Sequence, residues 1–251
     1  MFRPFSFILV LLLCACAPKL PPLPETEVPA GPLLQALEKR QQSFRGLTAM
    51  ASVELHTGHG RRTFDSVGVV LDGQRRLRME AYGPLGQTIT ALVWNGIEVL
   101  LLLPGSDKVV REGPDGLARI FGKGLDAQEL CALLSNNVPG TLAPAKARLF
   151  CEKNSECVLE LRDMNSMRRV YVSPAAGSEK GPVILMQERY QDGALLYRAR
   201  FGRSEDLNHY RLPMQIEIEM PDQDFVLTIE YSEVELNPKI SNEAFILLDG
   251  K

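Results

Sequence analysis

The chain has 251 residues, 45% of them hydrophobic and 24% charged, with a formal charge of −3 at pH 7. This balance is that of an ordinary globular protein and excludes a disordered polyelectrolyte; no basic excess points to nucleic acid. The residues beyond position 32 suffice for one domain with a substantial core.

The N-terminus carries a processing signal. Arg3 forms a short positive region, and Phe5–Leu13 is an apolar run too short for a bilayer, which needs about 20 residues. The run ends in Leu13-Cys14-Ala15-Cys16, which resembles the lipobox of bacterial lipoproteins: an aliphatic residue, two small ones, then the cysteine that is acylated. Cys14 fits the same slot less well, because bulky leucines precede it. The other reading is an ordinary signal peptide with an incidental cysteine. The lipobox resemblance implies that residues 1–15 are removed and that Cys16 becomes the lipidated N-terminus, held to a membrane from the periplasmic side. Ala17 follows Cys16 where an inner-membrane retention signal would have aspartate, so by that analogy the outer membrane is expected. Removing Arg3, the one charge in residues 1–15, leaves 27 basic and 31 acidic side chains, a net of −4.

Residues 16–32 hold Pro18, Pro21, Pro22, Pro24, Pro29 and Pro32 among few large apolar residues. This composition predicts an extended, unpacked tether spanning roughly 3 Å per residue. Residues 33–251 are expected to be the folded domain.

A helix is predicted over Pro32–Phe44, with Leu33, Leu34 and Leu37 on one face and Glu38, Lys39 and Arg40 on a wet one. Alternating segments come next. Leu77, Met79 and Ala81 interleave with Arg76, Arg78 and Glu80; Met214, Ile216, Ile218 and Met220 with Gln215, Glu217 and Glu219; Phe225, Leu227, Ile229 and Tyr231 with Val226, Thr228 and Glu230. Each is a strand with one apolar face, the pattern of an antiparallel sheet covered on one side. Asp72-Gly73, Gly83-Pro84, Asn95-Gly96, Pro104-Gly105 and Asp192-Gly193 supply turns. The middle departs from this pattern: Leu117–Phe121 and Asp126–Ser135 read as helical, with Asp126 as N-cap and Leu130, Leu133 and Leu134 as the apolar stripe.

After removal of Cys14 and acylation of Cys16, Cys131, Cys151 and Cys157 remain. Cys151 and Cys157 flank a polar insert, Glu152-Lys153-Asn154-Ser155-Glu156, and facing positions across such a hairpin fall within disulfide range. Two free half-buried thiols, or a bridge to Cys131, are the alternatives. No Cys-x-x-Cys suggests zinc or redox chemistry.

The chain is thus mainly β, with roughly ten or eleven strands and little besides helices to cover their apolar face. Such a curved sheet either encloses a hydrocarbon-binding cavity or has a filled core. Leu77, Met79, Ile89, Ala91, Val93, Val99, Leu101, Met214, Ile216 and Ile218 are the candidates for the concave face, and methionine adapts well to irregular apolar ligands.

The stretch Arg76-Leu77-Arg78-Met79-Glu80-Ala81-Tyr82-Gly83-Pro84-Leu85-Gly86-Gln87-Thr88-Ile89-Thr90-Ala91-Leu92 resembles the LolA/LolB-like superfamily, and most closely its outer-membrane lipoprotein receptors. Leu117–Pro139 is similar to that family's helical insertion, and Val234–Phe245 to its closing strand and tail. The resemblance implies an unclosed antiparallel β-barrel with an N-terminal helix and a short helical lid, whose interior takes the acyl chains of lipoproteins or lipids. It implies a monomer that receives cargo from a periplasmic LolA-like donor and passes it to the outer membrane, with no cofactor. In the receptors, the leucine of the turn projects and aids delivery; the matching residue is Leu85, after Pro84. Burying one leucine in lipid returns roughly 1.5–3 kcal/mol. A leucine folded back over the barrel edge is the alternative. A sensing or structural envelope lipoprotein on the same scaffold is the second functional expectation.

Enzymatic readings find no motif. Gly-x-Ser-x-Gly, a phosphate-binding glycine loop and His-Glu-x-x-His are all absent from the sequence. His56 and His59 sit at an expected hairpin tip, His209 has no evident partner, and Glu217 and Glu219 lie on a wet strand face, so no metal or catalytic site is expected.

Overall fold

A computed structural model describes residues 21–122, 124–140, 142, 146–152, 156–173, 181–208 and 210–248. The proposed signal peptide, Cys16 and His209 lie outside these residues. In chain order the elements are β1 (Thr26–Val28), α1 (Gly31–Ser43), β2 (Gly46–Thr57), β3 (Gly60–Asp72), β4 (Arg76–Tyr82), β5 (Thr88–Trp94), β6 (Val99–Leu102), β7 (Val109–Glu112), α2 (Gly116–Ile120) and α3 (Ala127–Leu134). They continue with β8 (Ala147–Cys151), β9 (Cys157–Arg162), β10 (Ser166–Ser173), β11 (Val183–Gln191), β12 (Ala194–Leu207), β13 (Tyr210–Met220) and β14 (Phe225–Leu236).

Among the described residues, fourteen strands join one sheet in the order β1-β8-β9-β10-β11-β12-β13-β14-β2-β3-β4-β5-β6-β7. Two meanders, β2–β7 and β8–β14, are joined where β14 pairs with β2, Ile229 opposite Val53. Every pairing is antiparallel, and the outer strands β1 and β7 do not pair with one another. This is the expected open sheet, with more strands than expected because short ones such as β1 are too brief to show a period.

The sheet wraps around α3. Strands from the second meander converge on this one helix region: Arg168 of β10, Arg189 of β11 and Tyr197 of β12 bond Glu129. Tyr210 of β13 and Tyr231 of β14 donate to the carbonyls of Ser135 and Leu134. Asp126 caps α3 as its sequence suggests, accepting from the Glu129 N–H at 2.8 Å. Leu130, Leu133 and Leu134 are fully buried, so α3 fills the concavity.

Two sequence expectations need correction here. Thr26–Val28, expected in the unpacked tether, add to the sheet edge, with Thr26 opposite Cys151 and Val28 opposite Leu149. Backbone pairing suffices to dock so short a segment, and the exposed Glu27–Arg148 ion pair adds little. Arg40, expected on a wet face, is buried. It donates to the Asn136 carbonyl and side chain and to Arg211 O at 2.9 Å, and it lies 4.4 Å from the Tyr210 ring centroid. Burial lowers its pKa against the opposing influence of Tyr210. Carbonyl and amide oxygens are thus its partners rather than water.

The sheet also buries part of its convex face. Ala91, Val93 and Leu100 pack there with Phe245 and Leu247 from the C-terminal tail. Arg76 and Arg78, on the same face, hold that tail: Arg78 donates to the carbonyls of Ala244 and Ile246, and Arg76 to Asn242. The Arg76 guanidinium lies 4.4 Å from the Phe245 ring centroid.

Cys151 and Cys157 stand directly opposite one another across β8 and β9 and form a disulfide. Cys131 is a free, buried thiol within α3.

Candidate functional site

The β4–β5 turn is built by its own residues. Pro84 presets the backbone at the second position of a turn closed by Gly86 N–H to Gly83 O at 2.9 Å. Gly86 has φ 78°, which an L side chain rarely adopts, and Gly83 N–H then bonds Gln87 O at 2.8 Å. Gln87 folds over Gly83 so closely that a Cβ there would stand 2.3 Å from its Nε2. Its Oε1 accepts from the Leu85 N–H at 3.1 Å. With these polar groups committed to the turn, the Leu85 side chain points away from the body and is 93% exposed. It does not fold back over the edge.

At the same end of the sheet, an apolar cavity of about 270 Å³ opens on the concave face. Val53 and Leu55 of β2, Phe64 and Val67 of β3, Met79 and Ala81 of β4, and Thr90 and Leu92 of β5 line it, with Leu101, Leu103 and Pro104 from β6 and the turn beyond. Leu227 closes the side towards β14, and Ile120 and Phe121 cover the mouth. The Phe121 ring meets Phe225 edge-on with centroids 5.6 Å apart. Arg62 is the single charged residue in the lining. This volume lies just under the usual small-molecule range of about 300–1,000 Å³. The space suits part of a hydrocarbon chain and offers almost no polar specificity.

The candidate residues are not all brought together. Met79 and Leu101 line the cavity, whereas Leu77, Val99, Met214, Ile216 and Ile218 are in the filled part of the concave core. Ile89, Ala91 and Val93 are a correction. Register places Met79 opposite Leu92 and Leu77 opposite Trp94, so Leu92 and Trp94 face inward and the alternate residues of β5 face outward. Ala91 still borders the cavity, although its side chain packs in the outer cluster under the tail. Alternation could not choose the face, because β5 is apolar on both sides. Val53, Leu55, Phe64, Leu92, Ile120, Phe121 and Leu227 were missed; the Val53/Glu54/Leu55/His56 alternation was the available signal for the first two.

The two halves of the helical insertion differ. α3 is fixed at its N-terminal turn, where Arg168 and Arg189 each reach Glu129 Oε1 at 2.6 Å and Tyr197 donates to Oε2. Burial opposes the Arg168 charge, but Tyr197 and Glu129 raise its pKa overall. Burial, then Glu129, raises that of Tyr197 against the influence of Arg168. Beyond its C-terminus, Arg40, Tyr210 and Gln187 bond Asn136 and Asn137. Among the described residues α2 has no comparable polar anchor: Leu117 is buried, but the exposed Arg119 pairs with Glu112 and Ile120 is half exposed. The cover of the cavity is therefore α2 and Phe121, and α3 is a plug.

A wider cleft of about 880 Å³ lies between Pro22–Thr26 and Cys151, Val158 and Tyr171, but Glu25, Glu152 and Glu156 line it and make it unsuited to an acyl chain. Among the described residues, no group of three or more His, Cys, Asp and Glu side chains could hold a metal, and His56 and His59 lie at the β2–β3 turn. No described helix is long and apolar enough to cross a membrane.

No protein family model matches the chain, and no curated protein matches it by sequence. Many solved structures match its fold, among them three crystal structures. A DUF1329 family protein from Desulfovibrio piger has a TM-score of 0.62 at 14% identity, over 87% of this chain and 97% of that one. An outer membrane lipoprotein-sorting protein domain, so described, from Vibrio parahaemolyticus has a TM-score of 0.60 at 16% identity, over 86% and 97%. A LolA superfamily protein from Nitrosomonas europaea has a TM-score of 0.53 at 14% identity, over 88% and 98%. Such identities speak for the fold alone. In fold the chain is similar to these structures, and its own form is an open antiparallel sheet wrapped around α3.

Proposed function

We propose that this chain is a lipoprotein of the outer membrane, anchored through Cys16 on the periplasmic side, that takes acyl chains of lipoproteins or lipids into its half-barrel and passes them to the membrane. The observation that carries this reading is the pairing of an apolar cavity with a fully projecting leucine at one end of the sheet. The cavity supplies a solvent for hydrocarbon, and Leu85 supplies a contact that is satisfied only in lipid. Transfer needs no nucleotide or covalent chemistry: cargo moves from a periplasmic LolA-like donor down a gradient of apolar affinity, and the chain acts as a monomer and not as an enzyme.

The second reading, a ligand-sensing or structural envelope lipoprotein, is favoured by the firm anchoring of α3, which leaves the cavity small. Two measurements separate the readings. The carrier reading expects acyl ligands in extracts of the purified protein and expects Leu85→Glu to fold normally while lipoproteins accumulate in the periplasm. Ligand-free protein together with unchanged targeting in Leu85→Glu cells sinks the carrier reading.

A further inference from the structure

Met164, at the tip of the β9–β10 turn, is 94% exposed, as bare as Leu85. Because all neighbouring strands are antiparallel, the β9–β10 and β4–β5 turns lie at the same end of the sheet, in opposite meanders. The Met164 turn is fixed from both sides: Asp163 N–H donates to Ser166 O at 2.8 Å, and Asp192 N–H to Asn165 O at 3.0 Å. Asp163 is neutralised by Lys146 at 2.6 Å. Among the described residues nothing apolar receives the thioether, so their packing does not account for a large hydrophobic residue there.

The N-terminal chain runs towards the same end. Thr26 stands opposite Cys151, near the far end of the sheet, and the preceding residues cross the cleft beside Tyr171. Pro21 O then accepts from Arg169 Nη1 at 2.7 Å, two positions along β10 from Tyr171 towards Met164. Met164 is about five residues from Arg169, roughly 17 Å of strand. The five steps from Pro21 back to Cys16 span at most about 17 Å. That contour length would suffice for an acyl group on Cys16 to lie level with the Met164 tip.

We propose that this rim docks on the bilayer with two apolar contacts, Leu85 on one arm and Met164 on the other, so that the cavity near the Leu85 arm opens towards lipid. The inference rests on the lipidated-carrier reading above and adds a second membrane-contacting residue and an orientation. An unbranched, polarizable methionine suits insertion among disordered acyl chains.

The test uses the mature acylated protein in phosphatidylethanolamine vesicles with a minority of phosphatidylglycerol. Leu85→Trp, Met164→Trp and Ile97→Trp are compared, Ile97 being 77% exposed at the opposite end. Trp94 is the single natural tryptophan and is buried, so its emission is recorded in the unsubstituted protein and subtracted. The expected result is a blue shift, and loss of emission to lipids brominated on their acyl chains, at positions 85 and 164 but not at 97. Quenching at 85 without quenching at 164 overturns two-armed docking and leaves the carrier reading standing. Quenching at 97 alone, or at none of the three, overturns both the docking and the role of Leu85. Self-association through Met164, seen as a dimer in sedimentation that Met164→Trp disrupts with no lipid quenching, overturns it as well. Mass spectrometry of the N-terminus reads the acylation of Cys16 independently.

Discussion

Arg168 and Arg189 face one another directly across β10 and β11, and both guanidiniums reach the same oxygen of Glu129. Like charges opposite each other in a sheet repel, so the pair is tolerable only because the first turn of α3 brings a carboxylate between them. At the N-terminal turn of α3, the helix and the sheet thus depend on one another through a single side chain. Glu129→Leu is expected to lower the unfolding free energy by on the order of 3 kcal/mol, because it leaves the largely buried Arg168 with Tyr197 but without a carboxylate. Glu129→Gln should cost less, and adding Arg168→Met to Glu129→Leu should recover part of the loss. Urea denaturation of the three variants checks this; a loss below about 1 kcal/mol for Glu129→Leu would mean that the network is not what holds α3.

The disulfide closes only the loop between Cys151 and Cys157, so its contribution through the unfolded chain should be near ~2 kcal/mol. Burial, with a smaller influence of Asp126, raises the Cys131 thiol far above its ordinary pKa. Mild reduction of the folded protein should therefore expose two alkylatable thiols, with the third appearing only in denaturant. Mass spectrometry after pulse alkylation counts them, and early labelling of Cys131 would show that α3 opens readily.

Much of this architecture was legible in the chain. Asp126 and the leucines after it announce α3, and the alternations ending in Met220 and Tyr231 announce β13 and β14, because a cap and a period are local signals. The faces of β5 were not legible, since Ile89, Ala91 and Val93 are as apolar as Leu92 and Trp94, and only the docking of Phe245 and Leu247 shows why both sides are greasy. Arg40 looked like a solvated helix residue and nothing local marks Glu129, because the partners of both stand far away along the chain. The cavity depends on curvature and on Phe121, neither of which has a sequence period.

Tyr171 and Tyr190 both donate to Glu188 Oε2, at 2.9 and 2.8 Å. Burial and that carboxylate push the Tyr171 hydroxyl up to about 12 and raise Tyr190 by the same causes. The folded state then holds these protons after the unfolded chain, with tyrosines near about 10, has released them. The stabilisation is complete below pH about 10 and is lost as pH rises through about 12. Thermal unfolding should show a falling Tm across this window, with a shallower fall in Tyr171→Phe. An unchanged slope in that variant would assign the alkaline loss to other groups.

Ala81 is buried in the cavity wall between Val67 and Thr90. Ala81→Leu places three more carbons into space that the wild-type leaves open, without a new polar group. If the cavity receives hydrocarbon, the substitution should weaken binding of a fluorescent fatty acid by roughly tenfold or more, about 1.4 kcal/mol. Stability should stay within about 1.5 kcal/mol of the parent, because the added volume meets a void and not a packed core. Phe121→Ala should act in the opposite sense on access, speeding ligand entry and release by uncovering the mouth. Fluorescence titration and stopped-flow traces read both effects. Unchanged binding in Ala81→Leu, with the fold intact, would place any acyl chain elsewhere and remove the cavity from the mechanism, leaving the rim residues as the remaining contact with lipid.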